Sequence, residues 1–335
     1  MEKFISPDIN TAPVEGYDLI GDVHGCAHTL ERLLQKLGYH KQQGVYQHNK
    51  RRAIFVGDII DRGPRIREAL HLVYGMVQKG SAYMVLGNHE FNAITYCTQK
   101  KSDVSGQLEY LRPHTSGNTR QIIETLEDFA NYSEDWREFL RWFRQLPLFL
   151  EVGDVEKHNQ FRVVHACWDH QLISQHKEHH GTGHFDETFI HDSVIRHSHA
   201  ATVVQVLTRG VDLPLPPGVE VISNDGYVRS SFRTKFWAHG AQTYGELLFQ
   251  PDPIPPEIAA LPISKAHRAQ MVRYGVQESP LFIGHYWLKG QPQPIANNIA
   301  CLDYSAVKYG RLVAYRMDGE QQLQQKNFVW EYVDP

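Results

Sequence analysis

The amino-acid sequence predicts an α/β fold. Between residues 17 and 90, short apolar runs alternate with stretches in which apolar residues recur at helical spacing, a pattern typical of successive βαβ units. Strand-like runs return after residue 160, and polar clusters follow each of the first three predicted strands. With 335 residues, 41% of them hydrophobic, the chain is long enough to bury a full core. We expect one elaborated domain over residues 1–335.

The first part of the chain is predicted to contain three strands and two helices, each bounded by a glycine. In order, these are a strand at Tyr17–Ile20, a helix carrying Leu30, Leu33, Leu34 and Leu37 that ends at Gly38, a strand at Ala53–Val56, a helix from Ile66 to Val77 that stops before Gly80, and a strand at Ala82–Leu86.

The rest of the chain is predicted to mix helices, strands and two proline-rich loops. The predicted helices cover 118–146, in two parts with Ser133 as a cap, and roughly 187–208; the strands are Phe161–Val164, Leu281–Ile283, Ile299–Leu302, Leu312–Tyr315 and Phe328–Tyr332; the loops are Leu213–Gly218 and Pro251–Pro262.

Composition narrows the classes of function. The 34 Lys and Arg residues against 38 Asp and Glu give a net charge of -4, which argues against a protein that binds nucleic acid through bulk positive charge. No apolar run has the length of a signal peptide or a membrane-spanning helix. The 4 cysteines are far apart, which favours free thiols in a reducing compartment. We therefore expect a cytoplasmic enzyme without a membrane partner, while the oligomeric state stays open.

Three polar clusters, Gly21–Gly25, Gly57–Gly63 and Gly87–Glu90, directly follow the three predicted strands. In an open α/β sheet the turns beyond the carboxyl ends of the strands converge on one crevice, so these clusters can meet at one point. They would bring carboxylates, imidazoles and an amide oxygen, a ligand set that suits Mn²⁺, Fe²⁺, Zn²⁺ or Mg²⁺. Asp58, with two carboxylate oxygens, could bridge two such ions.

The clusters resemble the GDxHG, GDxxDRG and GNHE signatures of the phosphoprotein phosphatase branch of the calcineurin-like metallophosphoesterases. That branch includes bacterial diadenosine tetraphosphatases and the phosphatase modules of RNA-repair enzymes. His165-Ala166-Cys167 and Gly284-His285 occupy the places of two later histidine motifs, so the resemblance covers about residues 17–290. It implies a central β-sandwich of mixed sheets flanked by helices, with 167–280 inserted as a lid or substrate-shaping region.

The resemblance also implies roles for individual residues. The first metal would be held by Asp22, His24 and Asp58, and the second by Asp58, Asn88, His165 and His285. Both would be divalent, with Mn²⁺ expected and Fe, Zn, Ni or Mg as alternatives. A hydroxide shared by the two metals would attack phosphorus. Arg62 would hold the phosphate, His89 would protonate the leaving oxygen, and Asp61 would orient His89.

Some features fall outside the family pattern. Cys167 replaces a common glycine, and Tyr286-Trp287 follows His285 where Thr-Pro is usual, so the leaving-group pocket should differ from that of many relatives. Arg233 and Lys235 lie on a basic run and are candidate contacts for phosphate or substrate; an ordinary solvated strand face is the alternative. For the histidine-rich stretch 176–184 we expect a solvated loop rather than a metal site.

The expected activity is metal-dependent hydrolysis of phosphomonoesters. The substrate favoured by a small margin is a phosphorylated protein. The phosphate is expected on Ser or Thr, with Tyr as a variant. The alternative is a bis(5'-nucleosyl)-tetraphosphatase or another nucleotide phosphohydrolase. Nucleic-acid end repair ranks third because of the acidic charge balance. The alternative from another class is a catalytically silent metal-binding interaction domain, which would be expected to lack a ligand.

Overall fold

The computed structural model describes residues 14–101, 106–154, 156, 158–180, 185–215, 219–222, 228–250, 254–307 and 309–333. Its helices are α1 Ala27–Lys36, α2 Ile66–Gln78, α3 Asn88–Cys97, α4 Ser116–Arg120, α5 Ile123–Asp128, α6 Ser133–Phe143, α7 His170–His180, α8 Glu187–Asp192, α9 His199–Arg209, α10 Tyr244–Leu247, α11 Pro256–Ala259 and α12 Lys265–Gln270, with a short 3-10 turn at Gln325–Asn327. Its strands are β1 Gly16–Ile20, β2 His40–Gln42, β3 Val45–Gln47, β4 Arg51–Phe55, β5 Ala82–Met84, β6 Gln99–Lys101, β7 Leu108–Tyr110, β8 Phe149–Val152, β9 Phe161–Val164, β10 Asp212–Pro214, β11 Val221–Ile222, β12 Val228–Arg229, β13 Ser231–Thr234, β14 Leu248–Gln250, β15 Leu281–Ile283, β16 Ile299–Cys301, β17 Asp303–Tyr304, β18 Arg311–Met317 and β19 Phe328–Tyr332.

Two mixed sheets form the centre of the molecule. The larger has the order β17-β18-β1-β4-β5, with β19 also paired to β18. In it β1, β4 and β5 are parallel, whereas β18 is antiparallel to β1. The smaller sheet has the order β16-β15-β9-β8, in which β9, β15 and β16 are parallel. Five of these six parallel strands, β1, β4, β5, β9 and β15, therefore end beside the turns that carry the predicted site.

The two sheets pack face to face around an apolar layer. This layer takes buried side chains from both sheets, among them Leu19 and Val313 from the larger and Val163 and Phe282 from the smaller. The ring centroids of Phe282 and Tyr315 lie 5.1 Å apart across it. Helices α1 and α2 cover the outer face of the larger sheet with their apolar stripes. The fold is thus the predicted β-sandwich flanked by helices.

The segment 167–280 contains helices α7 to α12 and two small antiparallel sheets, β10-β13-β14 and β11-β12. Its buried residues join the same apolar cluster as the core helices. Two expectations stay predictions: that the chain forms one domain over 1–335, and that 167–280 acts as a lid or substrate-shaping region. None of the helices in the described ranges has the length and apolar character needed to cross a bilayer.

Several local predictions were wrong. Residues 176–180 complete helix α7 and are not a loop, because Ile173 and His176 are buried and hold the helix against the core. The long helix predicted over 187–208 is two helices, since Ser198 caps α9 by accepting the Ala201 N–H at 2.9 Å. Ser133 is the first residue of α6 and not its cap.

The proline-rich stretches also contain short elements. Strand β10 includes Pro214, and helix α11 begins at Pro256. Proline is compatible with an edge strand and with the first turn of a helix, which explains both cases. Residues 181–184 of the histidine-rich stretch, and 216–218 and 251–253 of the proline-rich ones, lie outside the described residues.

Candidate metal centre and active site

Asp58, in the turn after β4, lies at the centre of the site. Its Oδ2 is 3.2 Å from His165 Nε2, 3.8 Å from His24 Nε2 and 3.9 Å from His89 Nε2. Among the described residues, the potential ligand atoms form two compact groups, one with His24 and His89 and one with His165 and His285, and Asp58 belongs to both. The carboxylate is therefore placed to face two cations at once.

Two of the imidazoles direct Nε2, the nitrogen that would bind a cation, into the site. Nδ1 of His24 lies 2.7 Å from the Ile60 carbonyl oxygen, and Nδ1 of His165 lies 2.7 Å from that of Val56. Each Nδ1–H donates to its carbonyl, so the Nε2 lone pair points into the site, as is usual for metal-binding histidines. Burial lowers the pKa of His24 well below its usual value, which favours this neutral form.

The donor set fits a divalent cation. Oδ1 of Asp22 is buried and has no hydrogen-bond partner among the described residues, while its Oδ2 accepts the His285 N–H at 3.1 Å. Burial and the neighbouring Asp303 carboxylate both raise the pKa of Asp22. A buried carboxylate oxygen without a donor, beside a second carboxylate, is stabilised by a positive charge.

The surroundings of Asn88 and His165 also indicate that the site takes a positive charge. The side-chain amide of Asn88 lies 3.2 Å from His165 Nε2, the atom that also faces Asp58. Burial opposes protonation of His165, but the Asp58 carboxylate outweighs it and raises the pKa of His165 to about 10. A proton on His165 Nε2 can thus occupy the place beside Asp58 that a metal ion would take, and it would compete with that ion.

The backbone of the site is strained. His24, Asp58, Asp61, Arg62 and His285 all have positive φ angles, between 43° and 70°. Residues other than glycine rarely adopt this conformation, and it persists where surrounding contacts enforce it, typically at functional sites. At Gly284, a Cβ atom would overlap Asp22 Oδ1, so glycine is required for the close approach of the two turns.

Glu90, at the start of α3, enforces the conformation of the Asp58 turn. Its buried carboxylate accepts the backbone N–H groups of Asp58 at 2.9 Å, Ile59 at 2.7 Å and Ile60 at 3.3 Å. It also accepts the Gly87 N–H at 3.2 Å, which closes the first turn of α3. Burial raises the pKa of Glu90 to about 7, and the N–H donors oppose that rise.

His89, Asp61 and Arg62 form one hydrogen-bonded unit. His89 Nδ1 lies 2.5 Å from Asp61 Oδ2, and the Thr125 hydroxyl donates to the other oxygen of Asp61. Arg62 donates to His89 Nε2 at 3.0 Å and to His24 Nε2 at 3.2 Å. The three residues predicted to act on the phosphate and the leaving group are therefore brought together beside Asp58.

Arg233 reaches this centre, but Lys235 does not contact it. Arg233 Nη1 donates to His285 Nε2 at 2.7 Å, and its Nε donates to Asp212 at 3.2 Å. Lys235 follows the end of β13 and is half-buried, and its ammonium has no hydrogen-bond or ion-pair partner among the described residues. Burial lowers the pKa of Lys235.

Three residues near the site carried no predicted role. Glu90 lies within the GNHE motif, and Asp303 directly follows the strand-like run 299–302, the same signal that marked the other turns. Arg209, at the end of α9, donates to Asn92 at 2.5 Å. Burial, with Arg112 and Arg233 close by, lowers the pKa of Arg209 to about 10. No sequence signal distinguishes Arg209 from an ordinary basic residue at the C-terminus of a helix.

Known proteins resemble this chain in sequence and in structure. The asymmetrical bis(5'-nucleosyl)-tetraphosphatase PrpE of Oceanobacillus iheyensis is 55% identical over 159 residues, 47% of this chain and 58% of its own length. The protein of the same name from Halalkalibacterium halodurans is 37% identical over 134 residues, 40% of this chain and 51% of its own length. The chain thus matches between half and three fifths of the length of these two relatives.

A protein serine/threonine phosphatase from Saccharomyces cerevisiae has the same fold, with a TM-score of 0.51 and 14% identity over 97% of this chain and 82% of its own. The family model that matches the sequence is that of the calcineurin-like phosphoesterases, and it spans residues 18–218, more than half of the chain. Together with the mixed β-sandwich and the turns that gather at Asp58, this match shows that the chain belongs to the calcineurin-like phosphoesterase family.

Proposed function

We propose that this chain is a hydrolase that uses two divalent metal ions to cleave bis(5'-nucleosyl) polyphosphates. The observation that carries the proposal is the placement of Asp58 in two ligand groups at once, next to Arg62 and the Asp61–His89 pair. A centre of this kind performs phosphoryl chemistry; a domain that only binds metal has no need for the arginine or the proton donor.

In this proposal Asp22, His24 and Asp58 hold one ion, and Asp58, Asn88, His165 and His285 hold the other. When bound, the two ions activate a water molecule as the nucleophile and neutralise the phosphoryl oxygens. All six side chains are oxygen or imidazole donors, which suits Mn²⁺ and also Fe, Zn, Ni and Mg. Four of them, His24, Asp58, His165 and His285, lie in the two compact groups that share Asp58, which supports the assignment.

The other residues act on the substrate directly. The Arg62 guanidinium is placed to hold two phosphoryl oxygens in exchange for its bonds to His24 and His89. His89 Nε2 then faces the leaving oxygen, while Nδ1 stays bonded to Asp61. Burial raises the pKa of Asp61 to about 8 and lowers that of His89 to about 3, which favours a neutral pair with one shared proton. Once the phosphoryl oxygens have taken over the Arg62 N–H groups, His89 would carry a proton on Nε2 and give it to the leaving oxygen, while protonated Asp61 would pass its own proton to Nδ1 and become a carboxylate.

Three further features support a nucleotide polyphosphate over the phosphoprotein that led in the sequence analysis. The relatives that match in sequence are named as tetraphosphatases. Arg112, Arg209 and Arg233 lie close enough for their charges to act on one another, and an extended anion would relieve that repulsion. Trp287, 36% exposed, lies with its ring 5.2 Å from the Arg62 guanidinium and offers a surface on which a base could stack.

A comparison of substrates tests the proposal. The protein is stripped with a chelator and reloaded with Mn²⁺, and kcat/KM is measured for diadenosine tetraphosphate and for a phosphoserine peptide; Asp58→Asn is the inactive control. We expect the tetraphosphate to be preferred at least tenfold and the activity to depend on added metal. A preference for the peptide would reject the nucleotide assignment. Absence of metal-dependent turnover, even of an aryl phosphate, would reject the enzyme.

A further inference from the structure

A second group of histidines lies away from the catalytic centre. His176, His179 and His180 are on the last turns of α7, and His199 is the first residue of α9. The ring centroids of His176 and His180 are 5.3 Å apart, those of His179 and His199 are 5.9 Å apart, and those of His179 and His180 are 6.3 Å apart. The four imidazoles come from two packed helices and form a row of neighbouring rings, in the order His176, His180, His179 and His199.

An open cavity of about 530 Å³ gives access to three of these histidines, while His176 lies buried behind them. It is lined by His179, His180 and His199 and by the carboxylates of Glu178 and Asp192, with Gln175, Phe189, Ser198 and Ala200. None of these lining residues is a lysine or an arginine. The cavity therefore combines imidazole nitrogens with negative charge, a composition that attracts a cation.

Hydrogen bonding and burial favour metal binding by these imidazoles. The Nδ1–H of His179 donates to the Gln175 carbonyl at 2.7 Å, which leaves Nε2 with its lone pair, the arrangement common to metal-binding histidines. His176 is 2% exposed, and its Nδ1 has no hydrogen-bond partner among the described residues. Burial and the neighbouring imidazoles lower the pKa of His176 to about 4 and also lower that of His199, which favours the neutral state needed for metal binding.

The spacing fits a shared ion after small side-chain movements. Two imidazoles that share a tetrahedral Zn²⁺ through nitrogens about 2.0 Å away have ring centroids about 5 Å apart. The His176–His180 pair, at positions i and i+4 of α7, already has this spacing. His179 and His199 are exposed, so their side chains are free to turn inward by the remaining ångström.

We propose that His176, His179, His180 and His199 form a second metal site, distinct from the catalytic centre, that takes a borderline divalent cation such as Zn²⁺, with Asp192 as an acidic neighbour. The ion would join α7 to α9. Helix α7 follows β9, which positions His165, and α9 ends at Arg209. The site would therefore fasten together two elements that frame the catalytic centre.

The experiment counts bound metal in the full chain. The protein is freed of metal with a chelator and titrated with Zn²⁺ against a chromophoric competitor, for the wild type, for His179→Ala/His199→Ala and for His40→Ala as a control at an exposed histidine on β2. Circular dichroism confirms the fold of each variant, and Mn²⁺-supported hydrolysis of an aryl phosphate reports on the catalytic centre. Because His179 and His199 are exposed, we expect both variants to fold.

The expected result is that the double variant binds one equivalent of Zn²⁺ fewer than the wild type, with hydrolysis unchanged, and that His40→Ala matches the wild type. Equal stoichiometry in the wild type and the double variant would overturn the proposal. So would the same loss in His40→Ala, which would indicate unspecific surface binding. If the double variant does not fold, the single substitution His179→Gln provides the same comparison. It should bind one equivalent of Zn²⁺ more weakly than the wild type, whereas His40→Ala should bind that equivalent with wild-type affinity.

Discussion

At Asp58, one carboxylate can face two groups of ligands only because the backbone around it is fixed. Asp58 has a φ of 52°, and its N–H, with those of the next two residues, donates to Glu90. The side chain is thereby aimed from a turn that would otherwise relax to a more common conformation. The residue that imposes the geometry is buried behind the site and touches neither proposed ion.

Replacing Glu90 with Gln tests this support. In the wild type, several backbone N–H groups share the two carboxylate oxygens of Glu90. The amide of Gln has only one acceptor oxygen and turns an NH₂ group toward these donors, so at least one backbone N–H loses its acceptor. We expect unfolding to require about 1–3 kcal/mol less free energy, and kcat to fall because Asp58 moves. Chemical unfolding and aryl phosphate hydrolysis measure the two effects. Glu134→Gln, on the exposed start of α6, is the control; equal effects in both variants would contradict the role given to Glu90.

The sequence could identify the residues that carry chemistry but not those that hold them. Asp22, Asp58 and His89 follow strands in motifs of fixed spacing, and the structure brings them together. The contact between Glu90 and the turn after β4 depends on how two non-adjacent segments pack, and spacing within one motif does not contain that information. The metal roles of the six proposed ligands stay predictions.

At the level of elements, strand β13 decides which basic side chain reaches the site. Phe232 and Thr234 are buried on one face, so Arg233 points to the other, where the register pairs it with Asp212 of β10. From there Arg233 donates to His285. Their place on one basic run suggested that Arg233 and Lys235 act together, but β13 ends at Thr234, so only Arg233 lies on the strand.

The two basic residues should therefore differ when each is replaced with alanine. Arg233→Ala removes a charged hydrogen-bond donor from the phosphate region, worth about 1.5–3 kcal/mol, so we expect kcat/KM to fall roughly 10- to 100-fold. Lys235→Ala, two residues away and without that contact, should stay within about twofold of the wild type, since a substitution away from such features costs about 0.5 kcal/mol or less. Steady-state kinetics with diadenosine tetraphosphate provides the measurement. The reverse order would show that Lys235, not Arg233, binds the substrate.

Helix α7 contains a buried histidine whose titration should affect stability. His176 packs against Phe149 and Phe189, and burial lowers its pKa from 6.5 to about 4. The folded state therefore disfavours the protonated form, so the stabilisation is complete above the unfolded value of 6.5 and is lost as the pH falls from there through 4. Between about pH 7.5 and about pH 5 this one group would remove about 2 kcal/mol from the free energy of unfolding.

His176→Phe should remove this part of the pH dependence. The ring can still pack against its aromatic neighbours but cannot bind a proton, so the variant should lose about 2 kcal/mol less than the wild type over the same pH interval. Urea unfolding at the two pH values, with chelator present, gives the comparison. His40→Phe, at an exposed position, should keep the wild-type dependence. An unchanged fall in His176→Phe would mean that His176 titrates normally in the folded protein.

On the scale of the whole molecule, the fold joins segments that lie at opposite ends of the chain. The predicted strands at 17–20, 53–56, 161–164, 281–283 and 312–315 all form, because each is a short apolar run with clear boundaries. Their order in the sheets was not predictable from the runs themselves: β18, with Arg311–Met317, lies directly beside β1. Short polar strands such as β2 and β6 lack the apolar signal and were missed.

A buried ionic cluster stabilises the pairing of β1 with β18. Asp18 in β1 is 0% exposed and accepts from Arg51 in β4 at 3.0 Å, from Arg316 in β18 at 3.2 Å and from the Tyr39 hydroxyl at 3.0 Å. Arg51 also donates to the Tyr17 and Met317 carbonyls. The Asp18 carboxylate thus bridges two guanidinium groups on the strands that flank β1, and Asp318 forms a second ion pair with Arg51. The larger sheet therefore depends on residues far outside the 18–218 family match.

Asp18→Asn should therefore weaken the entire fold and not only a local turn. The substitution removes the buried carboxylate partner of Arg51 and leaves it only the exposed Asp318, so we expect a loss toward the lower end of the about 3–5 kcal/mol that removing one partner of a buried pair costs. We expect a single cooperative unfolding transition with a lower urea midpoint and a free energy of unfolding reduced by that amount. Circular dichroism and tryptophan fluorescence should detect the same transition. Glu15→Gln, in the exposed pair with Lys50, should change stability by about 0.5 kcal/mol or less. If Asp18→Asn were as mild as the Glu15 control, or melted only part of the secondary structure, the two ends of the chain would not be held through this cluster.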